Sequence, residues 1–304
     1  MKRSQFTLFL MSLFLMLAFG CANLKSPEEA GETPKTPVET DSGGKGGLLE
    51  EIVVESRDFQ MDGFDKEFYA EADLDGDGIK DTISLRTVMN PNYDEVISYE
   101  LHVNEEVLSY EGEMISPLFH VTDLLATDNL LEIAVSEEGP SSDYATVFYR
   151  YTDGMLCKLS KIEGFLGDIP NSDMSGKLIV HGDGRVSTLS RGQVMQTFFY
   201  EDEYLLVSPT ELKHVEKDLY PMETKVTLLK NLKTVASRSD STAAYEFQPG
   251  EKAVLLETDN RNWVSIRNAD GETSWFRIKD YGMILDQEEE GFSTDFFDGL
   301  NMAD

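Results

Sequence analysis

The sequence predicts an all-β protein, and three observations lead there. Short apolar or alternating runs recur from about residue 48 to residue 207, among them FYAEA, TISLRTV, VISYELHV, EVLSYEG, LEIAVSEE, TVFYRYTD and QTFFYEDEYLLV. Most are separated by Gly, Asp, Asn or Pro clusters, the punctuation of strands joined by turns. A second series of the same kind follows between residues 223 and 280.

The chain opens with Lys2 and Arg3, runs through an apolar stretch from Phe6 to Phe19 and reaches Gly20-Cys21. A basic start and an apolar segment too short to be trusted as a membrane span make residues 1–20 a secretory signal. Leu17-Ala18-Phe19-Gly20-Cys21 resembles the lipobox of bacterial lipoproteins, which implies that the signal is removed and Cys21 lipidated. The resemblance implies an exported protein on the outer face of the bacterial cell membrane, touching the membrane through its lipid anchor only. Residues 21–47 are Pro-, Glu-, Thr- and Gly-rich and end in SGGKGG. Such a segment cannot bury a core and is expected to be a disordered tether. A flexible coil of that length spans roughly 28 Å.

Folded sequence starts near Leu48, and the first domain is expected over residues 48–220. Within it, Asp73-Leu74-Asp75-Gly76-Asp77-Gly78-Ile79-Lys80-Asp81 places carboxylates at relative positions 1, 3, 5 and 9. Gly76 at position 6 permits the tight reversal that turns the Ile79 carbonyl inward. Hard oxygen ligands at this density suit a hard divalent cation. The expected ligands are Asp73, Asp75, Asp77, Asp81 and the backbone of Ile79, and the expected ion is a structural Ca2+. An EF-hand would add Glu at position 12, but Ser84 stands there, and the flanks read as strands. Without an ion the four carboxylates would raise one another's pKa values.

A fainter copy begins at Asp123 and is followed by the strand EIAV. Its positions 3, 5 and 9 are Leu125, Thr127 and Leu131, so most ligands are gone; Asp123, Asp128 and Glu132 are the acids left. EADLDGDGIKDTISL resembles the loop of VCBS/FG-GAP repeats, and the second copy a degenerate unit of the same kind. The resemblance is specific over residues 68–85 and covers about two repeats. It implies a propeller-blade-like β-domain whose ligands map onto Asp73, Asp75, Asp77, Ile79 and Asp81. At ~40 residues per blade the region holds only about four, too few for a large propeller.

Ser208-Pro209-Thr210-Glu211 has the form of a capping box with Pro at the first helical position, and Leu212, Val215 and Leu219 follow at helical spacing. A short helix or turn is expected at this boundary, stopped by Pro221. The second domain, residues 223–280, contains KVTLLKN, TVASRSD, KAVLLETD, WVSIRNADG and TSWFRIKD. Arg238, Pro249-Gly250-Glu251 before a strand, Trp263-Val264-Ser265-Ile266, Gly271 and Trp275-Phe276 together resemble bacterial SH3-like domains. That implies a small β-barrel in which Arg238, Trp263 and Trp275 are candidate ligand-binding residues, toward a cell-wall polymer or an envelope protein. Ser239-Asp240-Ser241 replaces the Gly-Pro-Ser usual after the arginine. Both tryptophans also suit barrel packing, and exposure decides between the roles. Residues 281–304 form an acidic tail in which Phe292, Phe296 and Leu300 would share one face of a short helix capped by Ser293 or Thr294. Such a helix is expected to dock rather than leave its phenylalanines in solvent.

The net charge of −31, from 57 acidic and 26 basic residues, excludes nucleic acid as a partner, because the phosphate-neutralising excess of Lys and Arg is missing. The four histidines stand on separate elements without HExxH or His-x-His, and no G-x-S-x-G elbow is present. Cys157, in MLCKL, reads as a small buried hydrophobe. The sequence therefore leads to a non-catalytic surface lipoprotein with a structural calcium site that binds an envelope or extracellular ligand. The alternative is a cell-wall hydrolase or its accessory subunit, targeted by the SH3-like module; it needs a catalytic constellation in residues 48–220 that the sequence does not reveal.

Overall fold

Alternating burial along short strands builds the protein, seen in a computed structural model that describes residues 47–49, 52–61, 63–140, 143–169 and 176–302. The signal segment, Cys21 and nearly all of the tether lie outside the described residues. No helix among those described is long and apolar enough to cross a membrane. The chain is all-β, in three sheets whose strand neighbours are antiparallel.

The first sheet contains β1 (Gly47–Leu48), β2 (Glu55–Met61), β3 (Phe64–Ala72), β4 (Asp81–Met89), β5 (Val96–Val103), β6 (Glu106–Ile115), β7 (His120–Asp123), β8 (Glu132–Glu137), β9 (Ala145–Thr152) and β10 (Met155–Glu163). Strands β2 to β6 form one meander and β7 to β10 another; the two meet where Ile115 pairs with Glu137. Along β4 the core side chains Ile83 and Leu85 alternate with Thr82, Ser84 and Arg86, which face the other side of the pleat. Across the first meander a ladder of opposite charges runs Arg57, Glu67, Arg86, Glu100, each opposite the next. Burial alone would raise the Glu67 carboxyl, but hydrogen bonds from Ser84, Arg86 and Arg57 hold it below its ordinary range.

Strands β8 and β9 are buried along almost their whole lengths. Ile133, Val135, Val147 and Tyr149 join Leu85 and Leu101 in one core. On the opposite face Ala134 and Phe148 join Leu166, Val186 and Leu212 in another. The second meander is thus a middle layer covered on both sides. Polar side chains on it, including Glu132 and Arg150, are out of water and must find partners inside the protein. Cys157 on β10 is half-buried.

The second sheet, β11 (Ile179–Val180), β12 (Arg185–Gly192), β13 (Phe198–Ser208) and β14 (Glu211–His214), supplies the other wall of that core. Of the helix or turn expected at Ser208-Pro209-Thr210-Glu211, the structure shows the turn. These residues turn a hairpin, and Leu212 pairs with Leu206 and His214 with Tyr204. Pairing satisfies the backbone along the whole segment and buries Leu212, which one isolated helical turn would not.

The third sheet is built from β15 (Tyr220–Leu228), β16 (Leu232–Ser237), β17 (Asp240–Phe247), β18 (Lys252–Thr258), β19 (Trp263–Arg267) and β20 (Thr273–Lys279), then β21 (Met283–Ile284), β22 (Gly291–Phe292), α1 (Ser293–Phe296) and β23 (Phe297–Asp298). Its order is β17-β16-β20-β19-β18-β15-β23. The expected barrel does not close, since the end strands β17 and β23 do not pair with each other. Its core takes in Val194 and Met195 from the β12–β13 connection and Phe198 and Tyr200 from β13, so apolar packing runs across residues 220–223.

The tail docks and contains a short helix, but one too short to carry the expected face of Phe292, Phe296 and Leu300. α1 is a single turn in which Asp295 accepts the Phe292 N–H at 3.0 Å, while Ser293 donates to the Met195 carbonyl at 3.1 Å instead of capping. Phe297 then leaves helical geometry to pair with Leu228, at the edge of β15. Phe296 and Phe297 are therefore 1 % and 3 % exposed, whereas Phe292 is 56 % exposed. Phe296→Ala is expected to cost about 3–5 kcal/mol in urea unfolding; a loss under about 1 kcal/mol would show that the tail is no part of the core.

Candidate metal centre

The hairpin from β3 to β4 is closed by the acidic loop, with Ala72 opposite Asp81. Its side chains first serve the turn. Gly78 N–H donates to Asp73 Oδ2 (2.9 Å), Asp77 N–H to Asp75 Oδ1 (3.2 Å) and Ile79 N–H to Asp77 Oδ1 (2.7 Å). Asp81, at the first position of β4, accepts Leu74 N–H on Oδ2 (2.9 Å) and the Asn104 amide on Oδ1 (2.7 Å). The same Asn104 amide donates to the Tyr151 hydroxyl at 3.2 Å, which fixes its orientation. Gly76 (φ +73°) is required twice: for the left-handed turn, and because a Cβ there would stand 2.7 Å from the Asn129 carbonyl oxygen.

One carboxylate oxygen from each of Asp73, Asp75 and Asp81 lies within 4.8 Å of the others. Partial desolvation first, then the neighbouring carboxylates of Asp77, Asp81 and Asp73, hold the Asp75 carboxyl above its ordinary range, against the pull of the Asp77 N–H. Asp73 Oδ1 is buried and has no hydrogen-bond partner. The arrangement gathers hard oxygen atoms around a point where negative charge is uncompensated, the chemistry that receives a divalent cation. Of the five expected ligands the structure brings together these three. Asp77 is exposed and engaged with Ile79, whose side chain is 69 % exposed.

The second loop, between β7 and β8, is built on the same plan with a different outcome. Leu124 N–H donates to Glu132 Oε2 at 2.9 Å, as Leu74 N–H does to Asp81. Glu132, and not Leu131, therefore plays the closing role, in a loop one residue longer. Arg150, 2 % exposed on β9, donates through Nε to Glu132 Oε1 at 2.8 Å, pairs with it again through Nη2, and lies 3.3 Å from Asp128. Its remaining Nη1 donates to the Pro209 carbonyl at 3.1 Å. Burial pushes the Glu132 carboxyl up to about 7 in spite of the guanidinium. The two loops also touch, through Leu131 N–H on the Leu74 carbonyl at 2.9 Å. Arg150 was invisible as part of this loop because the contact depends on β8 and β9 pairing Glu132 opposite Arg150.

The candidate ligand-binding residues fall on the third sheet. Trp263 and Trp275 are half-buried on the face opposite Val264, Ile266 and Phe276, which fill the core. The Arg238 guanidinium lies 5.5 Å from the centre of the Trp275 ring, and that of Arg277 lies 5.8 Å from Trp263. No protein-family model, curated protein or solved structure matches the chain.

Removing one partner of a buried ion pair leaves the other uncompensated. Arg150→Met is expected to lower stability by about 3–5 kcal/mol in chemical unfolding, and adding Glu132→Gln should recover part of that. A cost under about 1 kcal/mol for the single variant would show that Glu132 does not depend on the guanidinium.

Proposed function

We propose that this chain is a non-catalytic, lipid-anchored protein of the outer face of the bacterial cell membrane. In this reading a VCBS/FG-GAP-like region is clamped by a structural calcium ion. The SH3-like region then presents Arg238, Trp263 and Trp275 to an envelope or extracellular ligand. One comparison carries the calcium assignment. The buried acids among the described residues are Glu67, Asp81, Glu132, Glu137 and Asp202. Glu67 meets Arg57 and Arg86, Glu132 meets Arg150, Glu137 meets Lys161, and Asp202 meets His214. Asp81 has only neutral donors, Leu74 N–H and the Asn104 amide, and it alone of these acids belongs to a group of three carboxylates, with Asp73 and Asp75. A buried carboxylate without positive charge is costly, and a divalent ion supplies that charge.

Calcium at about 100 times its dissociation constant would add roughly 2.7 kcal/mol of stability, a shift of about 5–10 °C in melting temperature for a domain of this size. Melting the wild type in calcium and in chelator should show that difference, and Asp73→Asn should remove it. Superimposable wild-type curves would refute the clamp.

The anchor assignment rests on the Leu17–Cys21 motif, and residues 21–47 serve as its tether. On detergent-phase partitioning of cell extracts, the wild-type protein is expected in the detergent phase and Cys21→Ser in the aqueous phase or as unprocessed precursor. Equal partitioning of processed wild type and variant would exclude lipidation.

A further inference from the structure

A cleft of about 450 Å³ opens where the end of β14 and the connection to β15 meet the β16–β17 and β18–β19 turns. Its floor includes Tyr200 and Tyr220, buried rings whose centres are 4.5 Å apart. On its wall stands His214, with Nε2 at 2.8 and 2.9 Å from the two carboxylate oxygens of Asp202. Asp202 is 3 % exposed and receives the Ser190 hydroxyl at 3.3 Å on its other side. An acceptor-only carboxylate assigns the proton to Nε2. His214 Nδ1 then has no hydrogen bond to another described residue, and the side chain is one-third exposed. A buried acid fixed by the Ser190 hydroxyl and the Glu203 N–H, and holding an accessible histidine in one orientation, is the kind of support binding sites require.

The turns complete the cleft. Arg238 extends from the β16–β17 turn over the Trp275 ring and pairs with Asp218; Arg261 reaches Glu216 at 3.4 Å. Asp259 Oδ1 accepts the N–H groups of Arg261, Asn262 and Trp263 at 3.0, 2.8 and 2.9 Å, which fixes the β18–β19 turn. That turn presents Asn260, whose side-chain amide makes no hydrogen bond to another described residue.

Each arginine on the rim thus pairs with an acid, Lys217 Nζ donates to the Glu201 carbonyl, and Glu216, Asp218 and Asp259 match Lys217, Arg238 and Arg261 in number, so the lining carries no excess of either charge. A phosphate approaching Arg238 would also meet Asp218 and Glu216. What the cleft offers is a mixed set of fixed N–H donors and oxygen acceptors beside aromatic rings. That combination matches a neutral ligand whose hydroxyl groups each donate and accept, and its size lies within the range of small-ligand sites. We propose that this cleft binds a sugar unit of a neutral glycan. The proposal deepens the reading of a surface protein with an external ligand and is independent of the calcium clamp.

The test is calorimetric titration of the full-length protein, in detergent and calcium, with neutral oligomers of glucose, galactose and N-acetylglucosamine. Inorganic phosphate and a neutral tripeptide serve as comparators. One saccharide series is expected to bind at a single site, and Arg238→Ala and Asn260→Ala should each weaken it about five- to tenfold. Phe199→Ala, an exposed side chain on β13 outside the cleft, should leave the affinity unchanged. The absence of heat with every saccharide, tighter binding of phosphate or tripeptide, or wild-type affinity in both cleft variants would overturn the proposal. Calcium-dependent melting of the same samples keeps the two readings apart: protein that shows the calcium shift but binds no sugar refutes the cleft alone.

Discussion

A carboxylate buried at the start of a strand can close a loop by accepting the N–H that follows the preceding strand, but only if its charge is answered. That constraint appears twice in adjacent loops. Asp81 accepts Leu74 N–H and Glu132 accepts Leu124 N–H. Beside Glu132 the positive charge is covalent, the guanidinium of Arg150. Beside Asp81 the surroundings are acidic, with Asp73 and Asp75 close by. Because Leu131 N–H bonds to the Leu74 carbonyl and Gly76 lies against Asn129, the loops cannot relax independently.

The middle layer explains why charge matters so much here. A meander with one face in water would leave Glu132 and Arg150 solvated and of small consequence. Because β8 and β9 are covered on both faces, the pair is enclosed, and Arg150 becomes a structural link between the second meander and the β13–β14 turn. The fold places this ion pair where water screens it least.

Much of the strand order was legible because alternating apolar residues and Gly/Asp/Asn turns are local signals. FYAEA, TISLRTV and VISYELHV fall within β3, β4 and β5, and the acidic loop lies between two strands as its spacing suggested. The open and missed readings have physical causes. At Ser208-Pro209-Thr210-Glu211 the sequence left helix and turn open, and the pairing of Leu212 with Leu206 selects the turn. Strand β17, with exposed Ser241, Thr242, Ala243 and Ala244, carries no apolar alternation because it is an edge that buries little. In the tail the spacing of Phe292, Phe296 and Leu300 fits a helical face, yet the open edge of β15 captures Phe297 and interrupts that period. At the acidic loop the residue types pointed to Asp73, Asp75, Asp77, Ile79 and Asp81, of which the structure gathers the carboxylates of Asp73, Asp75 and Asp81, while Asn104, which orients Asp81 from the β5–β6 turn, carries no motif.

The distribution of arginine separates the two ends of the molecule by purpose. In the first sheet Arg57, Arg86 and Arg150 answer buried acids, so their positions follow from desolvation. In the third sheet Arg238, Arg261 and Arg277 pair with Asp218, Glu216 and Asp286, all well exposed, and pairs of that kind contribute little stability. Desolvation does not explain why two of these guanidinium groups lie over the half-buried Trp263 and Trp275 on the outer face of one sheet. Nor does the core require either tryptophan, since Val264, Ile266, Phe276 and Ile278 already fill it from the other side of the same strands. Stacking a cation on an aromatic face holds both in place while the guanidinium edge donates to an exposed acid, Asp218 for Arg238 and Asp286 for Arg277.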